Sequence, residues 1–222
     1  MDTGGTSLLS SGTQGCQTET QPKSGSCMPR IEPIPLDKLA ERPRRIIEDG
    51  VADGTYATPV PLQIFAYRTS QILMTDAARG AWGKQSLLGG RILELIRIRS
   101  AQLGECQPCM QSRKHDSITD EDVACLVAPG HSELTEQERL AVEFLDLLSA
   151  DHHAIDDEVY RRLSLVFTAA QIVELGFTCA SAMGLHRFIH TLDVFGDGEP
   201  VIAYDPGQVD TAYADAPDRS PA

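Results

Sequence analysis

Four consecutive residues, Cys106-Gln107-Pro108-Cys109, carry the strongest chemical signal in the chain. Two cysteines at this spacing have three readings: half of a zinc site, a redox dithiol, or two unrelated core thiols. Zinc needs further ligands at a matching spacing, and the chain has no second Cys-x-x-Cys and no Cys-x-x-His. The local sequence favours the dithiol. Gly104 closes the helical pattern before the pair, and Pro108 suits the first turn of a following helix, where its missing N–H costs nothing. Both sulfurs then sit at a helix N-terminus, where free N–H groups and the helix dipole stabilise a thiolate. Two cysteines three residues apart in one turn can also close a disulfide after a small adjustment. Glu105 works in the opposite sense, since a carboxylate beside Cys106 disfavours its thiolate.

Twelve residues before Cys106 stands Glu94, inside Gly90-Arg91-Ile92-Leu93-Glu94-Leu95-Ile96-Arg97-Ile98-Arg99. Apolar residues surround this helical segment on nearly every side, which predicts burial. A buried carboxylate has a raised pKa and exchanges protons near neutrality, so Glu94 is read as the proton acceptor of the thiol site. The alternative is an ion pair with Arg97 or Arg91, each three residues away.

Other candidates carry less. His186 and His190, four apart, with Asp193 beyond them, have spacing compatible with a metal, but a polar helix end near the C-terminal dipole is the preferred reading. His152 and His153 fall in a loop, and Tyr67 and Trp82 are read as packing residues. Cys125 and Cys179 lie on apolar stretches and read as small core residues, whereas Cys16 and Cys27 belong to the N-terminal tail. Asp120-Glu121-Asp122 fits a solvated helix start.

The elements that must position these residues are helical. Leu36 to Glu48 is amphipathic and is expected to end at Gly50; Ser70 to Lys84 follows, with Gly80 and Gly83 weakening its end. Gly89 and Gly90 open Arg91 to Leu103, and Cys106 to Lys114 comes next. Thr119/Asp122, Thr135/Glu138 and Thr168/Gln171 have the spacing of capping boxes, and Asp156 caps a helix running to Leu165. Leu140, Phe144, Leu147 and Leu148 recur at helical spacing, as do Ile172, Leu175, Cys179, Met183 and His186. Eight helices and no strand are expected, an all-α class with one folded domain over residues 30–199. Residues 1–29, dominated by Gly, Ser, Thr and Gln, and residues 200–222, rich in Asp, Ala and Pro, are read as disordered tails.

With 19 basic and 32 acidic residues, the formal charge of −13 disfavours nucleic acid and anionic lipid as partners. No run reaches the roughly 18 apolar residues of a membrane span, and the N-terminus lacks a basic start followed by a long apolar stretch. A cytoplasmic protein is expected. In a reducing compartment a cycling dithiol is favoured over a static disulfide.

The stretch Glu94-Leu-Ile-Arg-Ile-Arg-Ser-Ala-Gln-Leu-Gly-Glu-Cys106-Gln-Pro-Cys109 resembles the carboxymuconolactone decarboxylase-like superfamily, and most of all its alkylhydroperoxidase D branch. The signature of that branch is Glu, eleven residues, Cys-x-x-Cys, three residues and His. Thr135 to Leu148, Gln171-Ile-Val-Glu-Leu and Gly184-Leu-His-Arg resemble its later helices, so the likeness covers about residues 60 to 195. The resemblance implies an alkylhydroperoxidase D-like bundle that forms a homotrimer or larger homo-oligomer. It implies thiol-dependent reduction of hydroperoxides without a cofactor or metal, with electrons from a small dithiol or lipoyl-bearing partner. By the same resemblance Cys109 attacks the peroxide and becomes a sulfenic acid, Cys106 condenses with it, and Glu94 takes the thiol proton directly or through water.

The chain departs from the signature at one position, where Arg113 replaces the histidine. Arginine is no base at ordinary pH, but it can stand beside a thiolate as a fixed cation. His115, about 200° further round a helix, is expected to face elsewhere. Two other functions compete: a lyase acting on a carboxylated lactone, in whose branch the Cys-x-x-Cys pair is not expected, and a non-catalytic homo-oligomeric scaffold with a regulatory dithiol.

Overall fold

A computed structural model of the chain describes residue 1 and residues 29–82, 85–127 and 134–194. Most of both expected tails, with Cys16 and Cys27, lies outside the described residues, as do Gly83, Lys84 and the side chain of Trp82. Among the described residues the chain forms nine α-helices, two short 3-10 turns and no strand, which is the all-α class expected. The helices are α1 Glu41–Ala52, α2 Val60–Phe65, α3 Thr69–Trp82, α4 Gly90–Leu103, α5 Gln107–Gln111, α6 Asp120–Cys125, α7 Glu136–Ala150, α8 Asp157–Leu163 and α9 Ala169–Thr191. No described helix is long and apolar enough to cross a membrane.

Three boundaries differ from expectation, each for a local reason. The segment from Leu36 is a 3-10 turn, Leu36–Lys38, separated from α1. A single helix from Leu36 would place Pro43 in its interior, where the ring removes a hydrogen bond and clashes with the preceding turn. In the observed arrangement Pro43 falls in the first turn of α1. Gly50 does not end α1, which runs to Ala52 and turns at Gly54 with φ +76°; one interior glycine costs about 1 kcal/mol and is outweighed by tertiary packing. The ninth helix is α2, opened by Pro59 and carrying Pro61 in its first turn, where a fixed φ is already helical.

The cap signals are formed as their spacing predicts. Thr119, Thr135 and Thr168 each accept from the N–H three residues on, and Asp122, Glu138 and Gln171 reach back reciprocally. Asp156 caps α8, which ends at Leu163 rather than Leu165.

Helix α4 runs through the middle. One side, with Ile92, Leu93 and Ile96, packs with Leu140, Phe144 and Leu145 of α7 and Leu175 and Cys179 of α9. Another, with Leu95 and Ile98, meets Ile118, Cys125 and Leu126 around α6 and Val142 of α7. Its last turn, at Ala101, joins Cys106, Ile64 of α2 and Ile189 of α9. Helices α1, α2 and α3 share a smaller cluster of Ile47, Leu62 and Ile72.

Buried and half-buried ion pairs fix how α4 sits. Arg91 donates to Asp122 of α6 and Glu138 of α7, and Arg99 donates to Asp146 of α7. Asp122 therefore belongs to a bridge between helices, not only to a solvated helix start. Burial pushes the Asp122 carboxyl up, but the Arg91 hydrogen bond, the Thr119 N–H and the charge of Arg91 outweigh it and hold it below its usual value. The approach to α4 is held by α9, where Glu174 accepts from Ser86 Oγ and from Leu87 N–H at 2.8 Å, and Gln171 donates to Leu87 O at 2.9 Å. Replacing Glu174 by Ala leaves these donors unpaired, and urea unfolding is expected to show a loss of about 2 kcal/mol, with a smaller loss for Glu174→Gln.

Candidate active site

Helix α4 ends in a turn that delivers Cys106 to a buried position. Glu105 N–H donates to Gln102 O at 3.3 Å and Cys106 N–H to Ala101 O at 3.0 Å. This pair of bonds is a Schellman motif, which needs one residue in the left-handed region. That residue is Glu105, with φ +53°, not the adjacent glycine. Gly104 serves a different need: a Cβ there would lie 2.9 Å from the Cβ of His186 and 3.3 Å from Arg187 N. Glycine at this position lets α9 lie directly against the end of α4.

Cys106 and Cys109 are joined as a disulfide, with Cα atoms 5.3 Å apart. Cys106 is sealed, at 1% exposure, whereas Cys109 is half-buried. Val60 and Phe65 of α2, Met110 of α5 and Leu185 of α9 pack, like Cys109, against the core cluster that contains Cys106, and Phe65 stacks on Phe188 at 5.8 Å between ring centres. Cys106 precedes α5, its carbonyl accepting from Met110 N–H at 2.9 Å, and Cys109 sits in the first turn. α5 is five residues long instead of running to Lys114. So short a helix has little stability of its own.

Arginines hold its far end. Arg97 of α4 donates to Cys109 O at 2.6 Å and to Ser112 O at 2.7 Å. Arg113 donates to Met110 O at 2.7 Å and lies 3.4 Å from Asp120. Its guanidinium thus meets the carbonyls at the C-terminal end of α5, Met110 O and Ser112 O. The helical-wheel argument that turned His115 away is superseded, because both positions lie beyond the helix; His115 Nδ1 is 2.7 Å from Ser117 Oγ.

Glu94 is fully buried, as the pattern of α4 predicts. Of the two arginines three residues away, it pairs with Arg97, whose Nε and Nη2 donate to its two oxygens at 2.6 and 2.7 Å. Lys114 N–H donates to the same carboxylate at 2.7 Å. Glu94 thus meets the dithiol segment through Arg97 and through the backbone that follows α5.

The remaining candidates separate. His186 and His190 do not share a site: His186 is buried, and His190 is exposed, 3.9 Å from Glu105. Among the described residues no group of three or more His, Cys, Asp and Glu side chains is arranged to hold a metal. Cys125 and Cys179 are buried thiols outside any disulfide, and burial pushes Cys179 up to about 12. Tyr67 is exposed rather than packed.

Two features of the site were missed in the sequence. One is Arg97 as the connection between Glu94 and α5, which carries no signal beyond the i,i+3 pair. The other is His186, whose Nδ1 lies 2.9 Å from Ser100 Oγ of α4. The signal for its burial was present, since it continues the apolar spacing of Leu175, Cys179 and Met183. Burial first, and then the charge of Arg97, lower its pKa to about 4 against the opposing effect of a hydrogen bond to the Ser100 backbone, so the imidazole is neutral at pH 7.

Comparison with protein-family models, with curated proteins and with solved structures gives no match.

Two measurements check this geometry. Because the unfolded chain protonates His186 near its ordinary value and the folded chain does not, stability is full above about pH 6.5 and falls as the pH drops toward about 4. Between pH 7 and pH 5 the group contributes a loss of about 2 kcal/mol to urea unfolding of the oxidised protein, which His186→Gln removes. Replacing Glu94 by Gln leaves the largely buried Arg97 without its counter-charge, and a loss of about 3 kcal/mol is expected at pH 7.

Proposed function

We propose that the chain is a dithiol–disulfide oxidoreductase that reduces hydroperoxides through Cys106 and Cys109. The observation that carries this reading is the unequal placement of a joined pair, with one sulfur sealed in the core and the other at its edge. In the reduced state Cys109, the accessible thiolate, attacks the terminal peroxide oxygen. The O–O bond breaks, an alcohol leaves, and Cys109 becomes a sulfenic acid. The Cys106 thiol then displaces water from it and closes the disulfide. Two electrons from a small dithiol or a lipoyl-bearing partner reopen the bond.

The apolar surroundings formed by Val60, Phe65, Met110 and Leu185 suit an organic peroxide and the carbon chain of such a reductant. Glu94 supports the chemistry by holding Arg97 on the carbonyls of Cys109 and Ser112, which fixes the segment that carries the attacking sulfur. A homotrimer or larger homo-oligomer belongs to the same proposal. It is supported by exposed Val173, Phe177 and Phe188 along one side of α9, a helix with apolar residues on both faces. A reducing, cytoplasmic setting is the one in which such a dithiol turns over.

Intact-mass analysis of the reduced protein after brief exposure to an organic hydroperoxide tests the reading. Wild type is expected to lose two hydrogens as the disulfide closes. Cys106→Ser is expected to retain one oxygen as a trappable sulfenic acid, and Cys109→Ser to react at least tenfold more slowly. A wild type that stays reduced at a dose oxidising a reactive thiol control would remove the peroxidase reading.

A further inference from the structure

Helix α9 opens one of its faces to solvent. That side exposes Val173, Phe177, Ala180, Ser181, Gly184 and Phe188. Phe177 is 73% exposed and Val173 60%. From Ala169 to Leu185 the helix carries a single charged residue, Glu174, and that side chain is turned to Ser86 and Leu87. Other exposed helix surfaces of this chain are charged, with Arg42, Arg45, Glu48 and Asp49 on α1 and Asp157, Glu158 and Arg161 on α8. At 1.5 Å per residue the stripe from Val173 to Phe188 runs about 22 Å, and an uncharged surface of that length with two exposed rings marks a place where another molecule sits.

The sizes along the stripe say what sits there. Glycine inside a helix is unfavourable, and Gly104 shows one use of it, clearing space for a neighbouring backbone. At Gly184 a Cβ would meet nothing within 4 Å, so no described part of the chain needs that space. At 100° per residue the middle of the exposed face falls between Ala180 and Ser181, with Phe177 and Gly184 each about 10° from it. An antiparallel second copy, related by a two-fold axis at that point, sets Phe177 against Gly184, Val173 against Phe188 and Ala180 against Ser181. The pairing of positions follows from helix geometry alone. The matching of a ring to a gap does not, and it is carried by the residue types. An axis at Phe177 sets two rings against each other and leaves Phe188 past the end of the facing helix; an axis at Gly184 leaves Val173 past it. A parallel copy sets ring on ring and glycine on glycine.

Resting on the homo-oligomer reading given above, we propose that α9 is a two-fold contact between copies of this chain, packed antiparallel on itself with the axis between Ala180 and Ser181. Phe177 fills the gap at Gly184 of the partner subunit, and by symmetry this happens twice in each pair. The small residues at the crossing let the two backbones approach. Phe188 is covered on one side by Val173 of the partner subunit. It also stacks on Phe65, which packs against the cluster that contains Cys106. The second copy therefore closes the outer side of an aromatic pair that borders the dithiol cluster. A two-fold contact makes the number of copies even, so it selects a tetramer or hexamer over a homotrimer.

The test is the mass of the full-length protein in solution, by sedimentation or native mass spectrometry, for wild type and Gly184→Leu. Wild type is expected to hold an even number of copies. Gly184→Leu is expected to halve that mass, because the new side chain takes the place of the partner's ring. Its circular dichroism spectrum is expected to stay that of wild type, because within one chain a Cβ there meets open space. Orientation is read from a mixture of Phe177→Cys and Gly184→Cys chains under mild oxidation, with wild type as the control. Intact mass is expected to show linked dimers of one chain of each kind, severalfold more abundant than either kind linked to itself. A monomeric wild type overturns this inference and the homo-oligomer reading together, leaves the dithiol chemistry standing and assigns the stripe to a different partner. An odd number of copies, a Gly184→Leu protein of unchanged mass, or an excess of self-linked dimers overturns this inference alone. Should Gly184→Leu lose its helical spectrum, the linked dimers decide.

Discussion

Arg97 is the residue on which the site depends. Its guanidinium is held by Glu94 inside α4, and it donates to the carbonyls of Cys109 and Ser112. A charge this far from water is tolerated only with its partner present and its donors satisfied. That requirement sets the position of α5, because the carbonyls at its end complete the shell of the arginine. The five-residue helix supplies acceptors, and in return it is held in a conformation it would not keep alone.

The same economy of contacts governs the α4–α9 crossing. Gly104 brings the two backbones together, and Glu105 takes the left-handed turn that a glycine usually takes. A non-glycine residue in that region costs about 1–2 kcal/mol. Glycine is used where space is the limit, and the neighbouring residue carries the conformational cost. This close approach buries His186 against Ser100, and Cys106 is sealed in the same cluster as Ile189 of α9.

Ionic bridges around α4 have a structural role distinct from the site. Arg91 joins α4 to α6 and α7, and Arg99 joins it to α7. Apolar packing alone leaves a central helix some freedom to slide or rotate. Charged contacts at defined angles remove that freedom. The register of α4, and so the distance from Glu94 to the end of α5, follows from them.

Local chemistry was legible in the chain itself. The threonine caps, the apolar spacing of α4, α7 and α9, the burial of Glu94 and the closeness of two cysteines three apart follow from propensities and periods that act over a few residues. The choice of Arg97 over Arg91 as the partner of Glu94 was not legible, because both have the same spacing and only the arrival of Asp122 and Glu138 draws Arg91 away. Where α5 stops was not legible either, because Arg97 reaches Ser112 O and Glu94 takes the Lys114 N–H from elsewhere in the fold. His186 lies 86 residues from Ser100 along the chain, so their meeting is a property of the α4–α9 packing and of nothing nearby in sequence. Short-range order is written in residue types and spacing; the partners of buried charges are decided by whichever groups the folded chain brings within reach.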